Sequence, residues 1–232
     1  MLTIVTLNWA RSACTVRNLE TYSTYAAVDQ IICFNNGPKL NFTPHLPAKC
    51  LLVEASNNVG VTARMAMGAL AATPAILHTD DDLLLPESTI YRLLNCWQAA
   101  PSSCHGIFGR RAHPRYVAGN VFGPVEVVLT RALLCSTEVN NLALSASARF
   151  DDLGGVPRGN GEDIILSFAA MSLSGSLNHA HPMPVFNYAN QDAVAIHQTW
   201  SRHFEHRERV VNRCRQIFGK PHGAQARAAN SR

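Results

Sequence analysis

Four short runs of Ile, Val, Leu and Thr punctuate the first third of the chain: Leu2–Leu7, Gln30–Phe34, Cys50–Glu54 and Ala75–Thr79. Their hydrophobicity is nearly continuous, as in strands covered on both faces of a parallel sheet. Helical pattern fills two of the gaps. Val16–Tyr25 follows the first run, and Val61–Ala72 (VTARMAMGALAA), rich in strong helix formers, follows the third. This alternation predicts an α/β fold with a doubly wound, mostly parallel, Rossmann-like sheet and right-handed crossovers. Ligands of such sheets bind beyond the carboxyl ends of the strands. The residues just past each run therefore become candidates: Asn8 to Arg11, Asn35-Asn36-Gly37, Ser56-Asn57-Asn58 and Asp80-Asp81-Asp82.

Further along, Glu87–Ala100 lies between Pro86 and Pro101 and reads as a helix. Strands are expected at Gly106–Gly109 and Val125–Thr130, and mostly helix from Ala132 to Ala148. Gly154 to Gly161 reads as an irregular glycine-rich loop. Glu162-Asp163 then opens a helix that continues over Ile164–Leu173, with negative charge at the favoured end. Pro184–Tyr188 is a last strand candidate, Trp200–Phe218 a basic amphipathic helix, and residues 221–232 a flexible tail.

Composition narrows the function. Of 232 residues, 47 % are hydrophobic and 16 % charged, which describes a folded protein with an ample core. The net charge of +4 arises at one end, where eight Lys/Arg after Ser201 face only Glu205 and Glu208. A localised cluster of this kind suits phosphate groups, or is simply a solvated helix face. It lacks interleaved aromatics beyond Trp200, Phe204 and Phe218, which argues against a nucleic-acid partner. No run reaches the roughly 20 apolar residues of a transmembrane segment, and the N-terminus has no basic region of the secretory kind. The seven cysteines are odd in number and never in C-x-x-C spacing. That disfavours a zinc site and a disulfide framework, and points to a reducing, cytoplasmic setting.

Three constellations carry chemistry. In HTDDD, adjacent carboxylates repel one another unless a cation intervenes. Mg²⁺ or Mn²⁺ removes the repulsion and can hold a nucleotide's diphosphate. Asp82 is the candidate metal ligand, with Asp80 directed to a ribose or base and Asp81 close by; the alternative is an acidic turn capping the next helix. In GNGEDIILSF, Asp163 is the better candidate for catalysis, while Glu162 is equally well explained as a helix cap. In the terminal basic helix Arg207 can bind phosphate bidentately, whereas Arg209, Arg213 and Arg215 read as solvent-facing. His179, His181, His197, His203 and His206 read more simply as packed or exposed histidines than as metal ligands.

Taken in order, these segments resemble the exostosin-type glycosyltransferases of family GT64, retaining enzymes of the GT-A fold. The likeness runs from LTIVTLNWARS, through Asn35-Asn36, Arg64 and HTDDD, to CWQAAP with GIFGRR, GNGEDIILSF and HFEHRERVVN. It implies one GT-A domain over residues 1–220, with a donor half at 1–124 and a fused acceptor half at 125–220. It implies Mn²⁺ or Mg²⁺ at Asp82, and a nucleotide-sugar, UDP-linked by preference, near Asn8, Arg11, Asn36, Asn58, Arg64, Asp80 and Asp81. Asp163, Arg207 and Glu162 inherit the catalytic positions, and a glycan or glycolipid hydroxyl is the acceptor. An oligomer is compatible with the resemblance. The family's two cysteines that form what looks like a structural disulfide fall at Gly161 and Val210 here.

Overall fold

The computed structural model describes residues 1–37, 39–40, 45–153, 160–188 and 201–219. The predicted tail, His197, Trp200 and most of the 154–161 loop lie outside these residues. The chain opens with β1 (Leu2–Asn8), α1 (Ser12–Thr24), β2 (Val28–Asn35), β3 (Cys50–Glu54), α2 (Ala63–Gly68), β4 (Ala75–Asp80), β5 (Leu83–Leu84) and α3 (Glu87–Ala99). All four runs predicted as strands are strands, each within two residues of its expected bounds. Five short strands follow: β6 (His105–Gly106), β7 (Gly109–Arg111), β8 (Val117–Val121), β9 (Gly123–Val125) and β10 (Val127–Val128). After them come β11 (Ala132–Ser136), α4 (Thr137–Ser147), α5 (Glu162–Ser174), β12 (Asn178–Ala180), β13 (Phe186–Asn187) and α6 (His203–Phe218).

Eight strands make the central sheet in the order β3-β2-β1-β4-β11-β6-β12-β9. The first four are parallel, with Asn8 beside Asn35 and Leu7 beside both Phe34 and Asp80. Alternate residues of β1 serve opposite faces. Leu2 and Ile4 join a core with Leu19 and Tyr22 of α1 and Ile90 and Leu93 of α3. Val5 joins the other core, with Met65 of α2, Val139 of α4, Phe168 of α5 and Val210 of α6. A strand buried on both sides has no use for polar alternation, which explains the continuous runs. Helix α5 is buried over its first ten residues, and its sequence is accordingly apolar nearly all round.

The segment expected to be helical from Ala132 to Ala148 is two elements. Ala132–Ser136 pairs antiparallel with β4, Ala132 opposite Thr79 and Ser136 opposite Ala75. Ser136 then caps α4 by accepting a hydrogen bond from the Val139 amide at 3.1 Å. The helix-forming Ala-Leu-Leu is overridden by its place beside β4, where Ala132, Leu133 and Leu134 are buried. The expected strand 125–130 is likewise broken between β9 and β10, and β8 and β12 had no sequence counterpart.

Candidate active site

The carboxyl ends of β1, β2 and β4 lie side by side, and the candidate residues past them are interlocked by hydrogen bonds. Asn8 is fully buried: its Nδ2 donates to Asn35 Oδ1 at 2.7 Å, while Thr15 Oγ1 donates to its Oδ1 at 2.9 Å. Asn36 Nδ2 donates to the Gly60 carbonyl at 3.1 Å and its Oδ1 accepts from Val59 N. Asn58 is exposed and accepts from the Gly60 amide at 2.8 Å. These three asparagines shape the loops at this end of the sheet.

The acidic run sits in a turn whose backbone is held from outside. Asn18 Nδ2 donates to the carbonyls of Asp81 and Leu83, and Tyr188 N donates to that of Asp82. Each carboxylate then faces an arginine from another part of the chain. Arg11 Nη1 donates to Asp81 Oδ1 at 2.9 Å, Arg64 Nη2 to Asp80 Oδ1 at 2.8 Å, and Arg131 Nη2 stands 3.5 Å from Asp82 Oδ1. Burial, reinforced by Asp80, raises the pKa of Asp81 to about 6 against the opposing pull of Arg11.

The second constellation is assembled at the start of α5. Asp163 Oδ2 accepts from Arg207 Nη2 at 2.6 Å and its Oδ1 from the Ile164 amide at 2.8 Å. Arg207 comes from α6, whose inward residues His203, His206, Arg207, Val210, Val211 and Cys214 follow helical spacing. The Tyr116 ring lies 4.6 Å from its guanidinium carbon, and its Nη1 donates to Asn160 Oδ1. Burial alone would lower the Arg207 pKa, but Asp163 and then Tyr116 outweigh it and raise it further. Glu162 is also enclosed: Thr130 Oγ1 donates to its Oε1 at 2.7 Å, and the Gly161 amide to its Oε2 at 3.1 Å. Burial and the neighbouring Asp163 raise its pKa.

Asn160 and Gly161 enter α5 with φ of 155° and 140°, a region that side chains rarely adopt. Three contacts from α6 hold Asn160 there: Arg207, His203 Nδ1 at 2.6 Å from Asn160 Nδ2, and His206 Nε2, which donates to its carbonyl at 2.9 Å. The space beside the glycine is tight as well. A Cβ at residue 161 would lie 3.1 Å from both methyl groups of Val210 and 3.5 Å from its Cβ. The two positions matched to the family's cysteines therefore touch.

Arg64 unites the two constellations. Only 3 % exposed, it donates to Asp80 and to the Thr130 carbonyl, with Nε 3.6 Å from Glu162 Oε1. Burial opposes its charge, yet Asp80 and Glu162 raise its pKa overall. Behind it on β4 lies His78, fully buried, whose pKa burial and the Arg64 charge hold down to about 3. His179 and His181 are drawn elsewhere, into a stack with His105.

No three His, Cys, Asp or Glu side chains among the described residues converge as metal ligands. One atom nonetheless fits a hard cation. Asp82 Oδ1 is buried and accepts no hydrogen bond. A cation that shares its coordination with a diphosphate needs only one or two protein carboxylates, so Asp82 with Asp80 beside it is an adequate donor set.

Four contributors escaped the sequence reading: Thr130, Arg131, Tyr116 and Asn160. Thr130 and Arg131 end the segment between β10 and β11, and their signal was masked by reading 132 onward as helix. Tyr116 precedes β8, for which the pattern gave no cue. Asn160 stands in the recognised GNGED motif, yet its role needs the tertiary approach of α6.

A curated relative, glucosamine inositolphosphorylceramide transferase 1 of Arabidopsis thaliana, is 22 % identical over 217 residues, covering 87 % of this chain. The chain spans 28 % of that protein's length. Among solved structures, GalNAc-T7 with UDP, GalNAc and Mn²⁺ superposes with a TM-score of 0.54 at 11 % identity, over 91 % of this chain and 48 % of the other. The fold is thus that of the GT-A glycosyltransferases. No helix among the described residues is long and apolar enough to cross a membrane. The profile of the glycosyl transferase family 64 domain matches residues 2–228, and with the acidic run and the Glu162–Asp163 pair meeting at Arg64, the chain belongs to that family.

Proposed function

We propose that this glycosyltransferase moves a hexosyl or N-acetylhexosaminyl group from a nucleotide-diphosphate sugar, UDP-linked by preference, to a glycan or glycolipid hydroxyl with retention of configuration. The observation that carries this reading is the Arg64 bridge, which draws the candidate donor residues at Asp80 and the candidate catalytic acids at Glu162 into one site. The plant relative's name joins glucosamine to inositolphosphorylceramide, which supports a hexosaminyl group and a lipid-linked acceptor.

Asp163 is the group that stabilises positive charge developing on the transferred sugar. Arg207 and the Ile164 amide fix its two oxygens, so it stays oriented. Glu162, enclosed by Thr130 and Arg64, is the second candidate acid, and a covalent route with Asp163 or Glu162 as nucleophile is the alternative to direct front-face attack. A divalent cation held by Asp82 would supply positive charge against the leaving diphosphate. The acceptor oxygen attacks the anomeric carbon on the face the diphosphate leaves. The carbon–oxygen bond to phosphate breaks, and the acceptor's proton passes to the departing diphosphate oxygen. The absence of the family's cysteine pair at Gly161 and Val210 supports a reducing, cytoplasmic location.

Thermal-shift measurements with UDP-GlcNAc, UDP-GalNAc, UDP-Glc, UDP-Gal and GDP-Man, each with and without Mn²⁺, test the donor site. One UDP-sugar should raise the melting temperature only when Mn²⁺ is present. No response to any nucleotide would refute the donor assignment. Anomeric proton coupling in the product then distinguishes retention from inversion, in which Asp163 would serve as general base.

A further inference from the structure

The three arginines facing the acidic run are held in different ways. Arg11 and Arg64 donate short hydrogen bonds to Asp81 and Asp80. Arg131 makes none to a carboxylate. Its Nη2 stands 3.5 Å from Asp82 Oδ1 and its Nε 3.9 Å from Asp80 Oδ2, so its charge sits between the two acids without bonding either. Its hydrogen bond goes instead to Asn187 Oδ1 at 3.0 Å, and its guanidinium carbon lies 4.6 Å from the centre of the Phe108 ring. One third of the side chain is exposed, whereas Arg64 is almost wholly enclosed. The oxygen it faces, Asp82 Oδ1, is the buried atom that accepts no hydrogen bond.

We infer that Arg131 is a resident counter-ion of the acidic run, which a divalent cation must displace and which then turns to the donor's diphosphate, so that cation and nucleotide bind as a coupled pair. This rests on the reading of Asp80–Asp82 as the donor site. A cation arriving alone gains Asp82 but meets a guanidinium a few ångströms away, and like charges at that range repel strongly in a partly buried setting. A diphosphate removes the conflict. Its oxygens complete the cation's shell and offer the guanidinium a planar, bidentate partner better than its present one. Phe108 and Asn187 hold the side chain from behind and from one side, so the guanidinium changes partner without leaving the site. Coupling of this kind is reciprocal: UDP tightens Mn²⁺ binding by the factor by which Mn²⁺ tightens UDP binding.

Loss of the free Mn²⁺ electron-paramagnetic-resonance signal measures cation binding to the full chain directly, with and without saturating UDP. For the wild type, UDP should tighten Mn²⁺ binding by about tenfold or more. Arg131→Gln should bind Mn²⁺ alone about tenfold more tightly than wild type, and lose most of the enhancement by UDP. Arg131→Lys, which keeps the charge, should retain the wild-type pattern. Wild type that binds Mn²⁺ equally well with and without UDP would overturn the inference while leaving the donor site intact, and needs no variant to fold. Identical Mn²⁺ affinities for wild type and Arg131→Gln would overturn it as well. If neither protein binds Mn²⁺ or UDP under any condition, the donor-site reading falls and this inference falls with it.

Discussion

Two pairs of neighbouring acids lie at this site, and their surroundings differ. Asp80 and Asp82 are about one quarter to one third exposed and sit among arginines that include the loosely held Arg131. Glu162 and Asp163 are about 95 % buried, and their oxygens accept from Thr130, the Gly161 and Ile164 amides, and Arg207. The same side-chain chemistry is thus open to exchange in one place and committed in the other. On the proposed roles, a group that trades its partner for a ligand is left partly in water. A group that must hold one orientation is sealed in with every oxygen occupied.

The sharpest way to break this contrast is at the sealed pair. Arg207→Ala strands a buried carboxylate and should cost about 3–5 kcal/mol of stability, read from urea unfolding. A cost near that of an exposed ion pair, under about 1 kcal/mol, would show the enclosure to be loose. Asp163→Asn keeps the shape, and turnover should fall by about 10²–10³-fold while donor affinity, measured by calorimetry, stays within a factor of a few. Undiminished turnover would remove Asp163 from the chemistry. At the open pair, Asp82→Ala should change stability by no more than about 1 kcal/mol yet abolish Mn²⁺-dependent nucleotide binding. Retention of metal-dependent turnover would exclude Asp82 as the ligand.

Two smaller effects sharpen the picture around these acids. The double variant Gly161→Cys, Val210→Cys should form a disulfide on air oxidation, because the 3.5 Å between Cβ positions lies within the usual span. Its gain in stability should be about 1–3 kcal/mol, below the loop-closure value because residue 161 holds a positive φ. Nine titratable thiols after oxidation, in place of the seven native ones, would show that the entrance to α5 is not where the structure puts it. The last effect concerns His78. Its pKa is depressed from 6.5 to about 3 in the fold, so its contribution is present above pH 6.5 and is lost as pH falls toward 3. His78→Leu should therefore lose melting temperature less steeply than wild type between pH 6.5 and 5. Parallel slopes would mean that His78 takes up protons as readily folded as unfolded.

The parallel half of the molecule was legible because burial on both faces forces runs such as Leu2–Leu7 and Ala75–Thr79 to be apolar throughout. Sequence order also placed the acidic run at a strand's carboxyl end without any coordinates. The antiparallel half was harder. Its strands β6, β10 and β12 are two or three residues long, too short for any period to register, and Ala132–Ser136 is built from good helix formers. Ser136 did offer a boundary, as an N-cap with Glu138 in the first turn behind it. Within the site, Asp82 and Asp163 could be singled out because their motifs are compact. The roles of Arg131 and Tyr116 could not, since each acts on residues far away in sequence: Arg131 about fifty positions from Asp82, Tyr116 about ninety from Arg207.

The reversal of β11 against β4 has an outcome for how such a site can vary. In an all-parallel sheet only the exits of strands face the ligand, and every change there lies on the path into the next helix. Here a strand's beginning is laid beside its neighbour's end, so Arg131 reaches the acidic run, and Thr130 reaches Arg64 and Glu162, from a segment that precedes β11. Residue 131 is thus one position at which the electrostatics of the site can be retuned while the strands, the acidic turn and the helices behind them stay as they are.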